Sequence, residues 1–342
     1  MALLRGVTCK LIMLCGLLSS GAATSFCQAP NQIVAAGYSI PDPGLVAARG
    51  GVVTLFVKGL NVPDARASRI PLPTVLSGVS VKVTSQIPGY PETLPIFSIV
   101  SYDPCSGSIG TPCSLTHITV ELPTEPTCVP MGSFPNPCFN PNGYILLTVV
   151  LNGNAGLSFP VTVEGSQPHI VNACDTILGQ VGGICYSLVT HSDGTFVGDA
   201  GYPNGRFARP GETITFYAVG LGVTDPIVPT GQAPPSSRLA TISGNSLPLI
   251  VSYRLNLPAA SPAPPVAWAP IGRFIYPTYA GLVPGYVGLY QVNVTLPDEL
   301  AQAQAVPNSD GGCPLTTRIA IGAGGDFGPA DGVSYVDLCV QP

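Results

Sequence analysis

The sequence predicts an all-β protein, with two tandem immunoglobulin-like β-sandwich domains after a cleaved signal peptide. Three observations lead to this fold class. The 342 residues contain 40 Gly and 38 Pro, which punctuate many short segments. Those segments are rich in Val, Ile, Thr, Tyr and Phe at alternating positions, as expected for strands. Two of the strand motifs then recur in the same order in the second half of the chain.

The N-terminal residues 1–25 have the pattern of a secretory signal peptide. Arg5 and Lys10 precede the apolar run 11–18, and small residues follow at 21–25, so we expect cleavage after Ala23 or Ser25. A membrane anchor is the weaker interpretation, because the apolar run is shorter than the roughly 20 residues that a spanning helix needs. We therefore expect a secreted or cell-surface protein without a membrane span.

Charge is sparse along the whole chain. Charged residues make up 9% of the sequence and the formal net charge is −5, whereas soluble domains average about 25% charged residues. No basic cluster is present of the kind that a nucleic-acid-binding surface requires. Nucleic acid is therefore not an expected partner.

Ten segments have the alternation of strands, and one short segment has helical character. The helical segment is 298–304, of one or two turns. The Pro-rich tracts 123–141 and 257–270 are expected to be surface loops. The predicted strands are 52–57, 79–84, 118–122, 145–151, 157–163, 213–219, 249–255, 290–296, 317–321 and 333–340.

The repeated motifs divide the chain into two related domains. Residues 49–61 resemble 210–222, each with a glycine-led turn, an alternating strand and a Gly-Leu exit. Residues 118–125 resemble 292–299 in the same way. We therefore predict domains over 30–165 and 166–342, because sandwiches of about 100 residues are the common outcome of such strand spacing.

Export makes the cysteines interpretable as disulfides. Eleven cysteines are present, of which Cys9 and Cys15 lie in the predicted signal peptide and Cys27 has no obvious partner. The other eight fall into close pairs and lack the C-x2-C spacing of a metal site, so disulfides are favoured over metal. The pairs suggested by proximity in the chain are Cys105/Cys113, Cys128/Cys138, Cys174/Cys185 and Cys313/Cys339, and the sequence alone leaves their connectivity open.

Known catalytic and cofactor motifs are absent from the sequence. His191, Ser192 and Asp193 are triad residue types, but as chain neighbours they predict an Asp-Gly turn. The carboxylate pairs Asp298/Glu299 and Glu121/Glu125 are expected to be solvated at the surface. Asp326, Asp331 and Asp337 lie near Gly-rich turns, as calcium ligands can, but their irregular spacing disfavours a calcium site. No catalytic residue, metal site or cofactor is therefore predicted.

Aromatic residues are densest between Trp268 and Tyr290. The favoured interpretation is that most of these rings fill the core, and Tyr286 is the ring expected to be most exposed. The alternative is a surface on which Trp268, Tyr279 and Tyr286 stack against a sugar or contact a partner. These three residues are the candidate contact residues.

Two segments carry a family resemblance. Residues 210–222 (PGETITFYAVGLG) and 279–294 (YAGLVPGYVGLYQVNV) resemble the uncharacterised bacterial Solibacter C-terminal-domain family. The resemblance covers nearly all of the chain after the signal peptide, except the cysteines and the insertions at 101–117 and 126–142. It implies exported, IPT/TIG-type immunoglobulin-like sandwiches and no established activity.

These observations favour a non-enzymatic structural or interaction protein with a role in adhesion, surface assembly or as a spacer. A protein or cell-surface partner fits that function. The alternative is a carbohydrate-binding protein that uses the aromatic loops of the second domain, and the third is an enzyme whose site has no recognised motif.

Overall fold

The computed structural model shows that the chain is an all-β protein. It describes residues 31–38, 41–85, 91–102, 115–124, 144–178, 186–198, 205–242, 247–254, 268–303, 313–321 and 334–342. In these ranges the regular elements are strands and short 3-10 turns, including Thr176–Leu178 and Asp298–Gln302. No helix in the described ranges is long and apolar enough to cross a membrane.

The described strands are numbered here in chain order. They are β1 (Gln32–Gly37), β2 (Pro41–Asp42), β3 (Val46–Ala48), β4 (Val52–Lys58), β5 (Ala65–Arg66), β6 (Val79–Thr84), β7 (Ile96–Tyr102), β8 (Leu115–Glu121), β9 (Tyr144–Leu151), β10 (Asn154–Ala155), β11 (Phe159–Glu164), β12 (His169–Ile170), β13 (Val189–His191), β14 (Thr213–Val219), β15 (Leu249–Arg254), β16 (Trp268–Ile275), β17 (Tyr279–Leu282), β18 (Tyr290–Thr295), β19 (Leu315–Ile321) and β20 (Ser334–Val340).

Strands β1 to β11 form two sheets that share one hydrophobic core. The first sheet has the order β2-β1-β4-β8-β7-β5, and the second has β10-β9-β11-β3 with β6 paired to β9. Their inward residues, among them Leu55, Ile118 and Leu147, are fully buried together. We call these two layers the N-terminal sheet pair.

Strands β12 to β20 form a second pair of sheets with a separate core. The third sheet has the order β12-β14-β18-β17 with β13 paired to β14, and the fourth has β16-β15-β19-β20. Phe216 and Val292 from the third sheet pack with Leu249 and Ile319 from the fourth. These layers are the C-terminal sheet pair.

The two sheet pairs have the same core strand order. The run β1-β4-β8-β7 in the first sheet matches β12-β14-β18-β17 in the third, and β6-β9-β11 matches β15-β19-β20. A parallel contact closes each pair: β3 runs parallel to β11, and Ala208 forms a parallel bridge to Val340. The segments with repeated motifs, β4 with β8 and β14 with β18, are hydrogen-bonded neighbours in both.

Most predicted strands occur within a few residues of their predicted bounds, and 79–84 and 213–219 match β6 and β14. The helical segment is the 3-10 turn Asp298–Gln302. The prediction of a loop over 257–270 is wrong at its end, because Trp268 to Pro270 open strand β16. Proline is tolerated there because β16 is an edge strand. The domain bounds stay a prediction.

Candidate functional site

The two sheet pairs contact each other through the outer face of the first sheet. Strands β4 and β8 are buried on both faces, since all residues of each strand except Lys58 and Leu115 are buried. Val52 on the outer face packs against Val171 and Val219 of the C-terminal sheet pair. We call this contact surface, with the polar groups around it, the joint. Burial on both faces means that a second layer covers the outer face of this sheet, including the polar residues of β8.

One end of the joint is held by a buried carboxylate. Glu121, the last residue of β8, is 2% exposed, and its Oε2 accepts a hydrogen bond from the backbone N–H of Gly231. Gly231 lies between β14 and β15, so this bond connects the two sheet pairs. A carboxylate that accepts a backbone N–H forms a charge-assisted hydrogen bond, which is stronger than a neutral one.

Further hydrogen bonds cross the joint beside Glu121. The N–H of Thr124 donates to Thr230 Oγ1 at 2.9 Å, and the two threonine hydroxyls lie 3.0 Å apart. The N–H of Leu72 donates to the carbonyl of Gly231 at 2.9 Å. Gly231 is therefore held through both its N–H and its carbonyl by the N-terminal sheet pair.

The other end of the joint is built around Tyr38, which follows β1. Its ring stacks on the imidazole of His169, with centroids 3.8 Å apart and planes 4° apart. Its carbonyl accepts hydrogen bonds from the N–H of Thr176, at 2.8 Å, and from the Thr176 hydroxyl. The 3-10 turn that begins at Thr176 lies against β4 and β8.

Asp175 lies at the edge of the His169 ring at this end of the joint. Its Oδ2 lies 2.8 Å from His169 Nε2 and accepts the N–H of Asn172 at 2.8 Å. Asp175 is fully buried. The carboxylate therefore orients the imidazole on which the Tyr38 ring stacks.

Two tyrosine hydroxyls at the joint are held in their neutral form. Burial raises the pKa of Tyr290 above its usual range, and the nearby Glu121 raises it further. Burial raises the pKa of Tyr38 in the same way, with a smaller effect from Asp175. Both phenols therefore keep the proton that they can donate in a hydrogen bond. Tyr290 donates to the carbonyl of Gly222.

The expectation that Glu121 is a solvated surface carboxylate is wrong. Its partner position in β4 is Val52, and the C-terminal sheet pair covers both. The sequence places Glu121 in an alternating strand next to a proline, which is typical of a strand end at the surface. Coverage by a second pair of sheets is a tertiary effect that alternation does not show.

The side chains of His191 and Asp193 have different partners and do not form a catalytic triad with Ser192. His191 is buried, with Nδ1 2.6 Å from Glu212 Oε1 and Nε2 3.1 Å from the carbonyl of Arg206. Asp193 is exposed and pairs with Arg206 at 2.8 Å. Hydrogen bonds from Thr195 lower the pKa of Asp193, with a smaller effect from Arg206. The segment forms the predicted Asp-Gly turn, with Gly194 at φ +81°.

The remaining candidate carboxylates are exposed, pair with arginines or lie outside the described residues, and Asp298 is exposed as expected. Glu299 pairs with Arg273 at 3.0 Å, and both oxygens of Asp337 accept from Arg318 at 2.7 Å. Glu125, Asp326 and Asp331 lie outside the described ranges. Within those ranges no group of three or more His, Cys, Asp or Glu side chains could hold a metal ion.

The three candidate contact residues lie on different parts of the C-terminal sheet pair. Trp268 opens β16 in the fourth sheet, whereas Tyr279 opens β17 in the third sheet. Tyr279 is half-buried, and its hydroxyl lies over Gly281. Tyr286 lies in the turn after β17 and is 60% exposed. The three residues therefore share neither a strand nor a sheet.

A different aromatic surface lies on the outer face of the fourth sheet. Phe274 pairs with Ile250, Ile250 with Ala320, and Ala320 with Tyr335. Directly paired residues share one face of a sheet, so these four form a row across all four strands, which we call the aromatic row. Phe274 and Tyr335 at its ends are 49% and 50% exposed.

Charged groups border the aromatic row. The Arg318 guanidinium lies 3.7 Å from the centroid of the Tyr335 ring. Hydrogen bonding to Asp337 raises the pKa of Arg318. The face thus combines flat apolar surface with a fixed donor and acceptor pair. The alternation of 334–340 could have indicated that Tyr335 is exposed, since Val336 and Leu338 occupy the buried positions of that strand.

One predicted disulfide is confirmed among the described cysteines. Cys313 and Cys339 are bonded, with Cα atoms 5.2 Å apart. Cys174 is also disulfide-bonded, and its predicted partner Cys185 lies outside the described residues. The same is true of Cys105, Cys113, Cys128 and Cys138, so those pairs stay predictions.

Comparisons with known proteins do not identify a family. No family model matches the chain, and no curated protein sequence matches it. Among solved structures, the chain is similar to Salmonella alpha-2-macroglobulin reacted with methylamine, with 13% identity and a TM-score of 0.18. That match covers 95% of this chain and 16% of the macroglobulin chain.

Proposed function

We propose that this chain is an exported, non-enzymatic structural or interaction protein, which acts in adhesion, in surface assembly or as a spacer. The observation that carries the proposal is the joint. Hydrogen bonds at Glu121 and at Tyr38, on either side of the contact at Val52, hold the two sheet pairs against each other. A fixed connection of this kind suits a protein that holds other molecules at a defined separation or presents a binding surface outside the cell.

The polar groups of the joint favour one relative orientation. Apolar contact alone is non-directional, whereas Glu121 and Thr230 require particular partners at hydrogen-bond distance. An arrangement that broke these contacts would leave a buried carboxylate without its donor, which is costly. The two sheet pairs are therefore expected to move as one body.

Export rests on three lines of support. The first 25 residues have the pattern of a signal peptide, and the Cys313–Cys339 disulfide is typical of oxidising compartments. The resemblance to the Solibacter C-terminal-domain family points the same way, and we propose membership of that family. The signal peptide is tested by expressing the full chain in a bacterial host and determining the N-terminus of the exported product.

Small-angle scattering tests the fixed connection. We expect the mature protein to have a single, salt-independent maximum dimension that matches the joined sheet pairs. The variant Glu121→Ala with Thr230→Ala should give a broader distribution of dimensions. A wild-type distribution as broad as that of the variant would contradict the proposal. Turnover of any substrate in panels of polysaccharides and peptides would show that the protein is an enzyme.

Carbohydrate binding is the second candidate function, and the aromatic row favours it. Phe274 and Tyr335 stand three strand spacings apart, roughly 14 Å, on a broad sheet face. Aromatic rings pack on the apolar faces of sugar rings, while Arg318 and Asp337 offer partners for hydroxyl groups. This surface differs from the aromatic loops that the sequence indicated.

A glycan array separates the two sugar-binding surfaces. If the aromatic row binds sugar, saturable binding is lost in Phe274→Ala and in Tyr335→Ala and is retained in Trp268→Ala and Tyr286→Ala. The opposite pattern would favour the loops. Tyr144→Ala is the matched control, because Tyr144 is 56% exposed on the N-terminal sheet pair. Absence of binding to every glycan would remove this candidate.

A further inference from the structure

Two buried polar atoms at the joint lack hydrogen-bond partners. They are the Tyr38 hydroxyl and Asp175 Oδ1, and each is shielded from solvent. Three other side-chain atoms in the described ranges share this condition, on Asn31, His117 and Thr317. Those three lie on separate elements, whereas Tyr38 and Asp175 meet at one end of the joint.

Tyr38 and Asp175 both contact the imidazole of His169. The Tyr38 ring lies parallel to the His169 imidazole at 3.8 Å, and Asp175 Oδ2 lies 2.8 Å from Nε2 of that imidazole. The carboxylate therefore sits at the edge of the stack, next to the tyrosine ring. Its charge is close enough to contribute to the raised pKa of Tyr38.

The two atoms are chemically complementary. The Tyr38 hydroxyl is neutral and donates one hydrogen bond, and Asp175 Oδ1 accepts hydrogen bonds. Asp175 Oδ2 already accepts from Asn172 and contacts His169, so its second oxygen is the free one. Each buried polar group without a partner destabilises the fold, because it has lost its hydrogen bonds to water without replacement. Two such groups, on residues that contact the same imidazole, are therefore unfavourable unless a further molecule satisfies both.

We propose that one water molecule is bound at the joint between the Tyr38 hydroxyl and Asp175 Oδ1. The water accepts the hydrogen bond from Tyr38 and donates one to the carboxylate, which satisfies both atoms. Water is the ligand that fits, because both atoms are polar, buried and without a hydrogen-bond partner. It joins β1 of the N-terminal sheet pair to the segment after β12, and so forms part of the joint.

Oxygen-17 magnetic relaxation dispersion tests the site, since it counts water molecules that stay bound for longer than nanoseconds. Tyr38→Phe keeps the ring and its stacking on His169 and removes only the hydroxyl. We expect the variant to hold one long-lived water fewer than the wild type and to unfold at a lower urea concentration. Loss of one partner leaves the water too weakly held to be counted.

Tyr290→Phe is the matched control. The hydroxyl of Tyr290 is also buried, but it donates directly to the Gly222 carbonyl. This variant should lose stability without any change in the water count. A count that Tyr38→Phe leaves unchanged overturns the proposal, whatever happens to the urea midpoint. If Tyr38→Phe does not fold, a high-resolution crystal structure of the wild type decides, since empty density between the two atoms also overturns it.

Discussion

Gly288 of the C-terminal sheet pair lies directly against Val52 of the N-terminal sheet pair. A Cβ atom on Gly288 would come within 2.5 Å of Val52 Cγ2 and 3.2 Å of the Gly50 carbonyl oxygen. Gly288 also has φ +64°. Both the backbone conformation and the close approach at the joint therefore require glycine.

Gly288→Ala should destabilise the protein more than Gly285→Ala, although the two lie in one turn. Gly285 has φ +81° and nothing within 4 Å of the added Cβ. Its replacement therefore adds only the strain of an alanine in the left-handed backbone region, about 1–2 kcal/mol. Urea denaturation of both variants measures the difference. Adding Val52→Ala to Gly288→Ala should recover part of the loss, and equal stability of the two glycine variants would contradict the close contact.

Glu121→Ala should lower the free energy of unfolding by about 1–3 kcal/mol, because the N–H of Gly231 loses its acceptor at a buried position. Glu164→Ala is the control, since Glu164 is an exposed residue of β11. Chemical denaturation measures both. If the two variants were equally stable, the Glu121 carboxylate would make no net contribution to the joint.

His117 should make the protein less stable in mild acid. It is 4% exposed, packed beside the rings of Phe56 and Tyr102, and burial lowers its pKa from 6.5 to about 4. Between these values the unfolded chain binds a proton that the folded chain does not. Stability therefore falls as the pH drops from about 6.5 to 4, by at most about 3 kcal/mol from this residue.

Comparison with His117→Leu isolates that contribution. The difference in unfolding free energy between variant and wild type should shift in favour of the variant as the pH falls from 6.5 to 4. Urea midpoints measured at several pH values give this difference. A difference that stays constant over the range would mean that His117 is protonated as easily in the folded state as in the unfolded chain.

Removal of the Cys313–Cys339 disulfide should cost about 3 kcal/mol of stability, the value expected for closing a loop of this length. The cysteines are 26 residues apart, and they connect the segment before β19 to β20. The double variant Cys313→Ala with Cys339→Ala is preferable to a reducing agent, since Cys174 is disulfide-bonded as well. Cys27→Ala is the control, and thermal unfolding is the measurement.

Strand identity could be read from the sequence because alternation is a local property. The segments 79–84 and 213–219 match strands in the structure because their apolar residues recur at every second position. The 3-10 turn Asp298–Gln302 was also indicated locally. Strands such as β7, β16 and β17 are not among the segments that alternation predicts. β16 contains Pro270 and Gly272, which disfavour a strand when tertiary pairing is unknown.

The sequence by itself determined the all-β class and the strands with strong alternation, because alternation depends on residues that are near in the chain. It suggested Cys313 and Cys339 as a pair, and the tertiary structure fixed that connectivity. Only the tertiary structure decided the joint and the aromatic row. Glu121 and Gly231, or Phe274 and Tyr335, are far apart in the chain, and alternation does not show which outward face a second pair of sheets will cover. Burial of Glu121 and exposure of Phe274 follow from that packing.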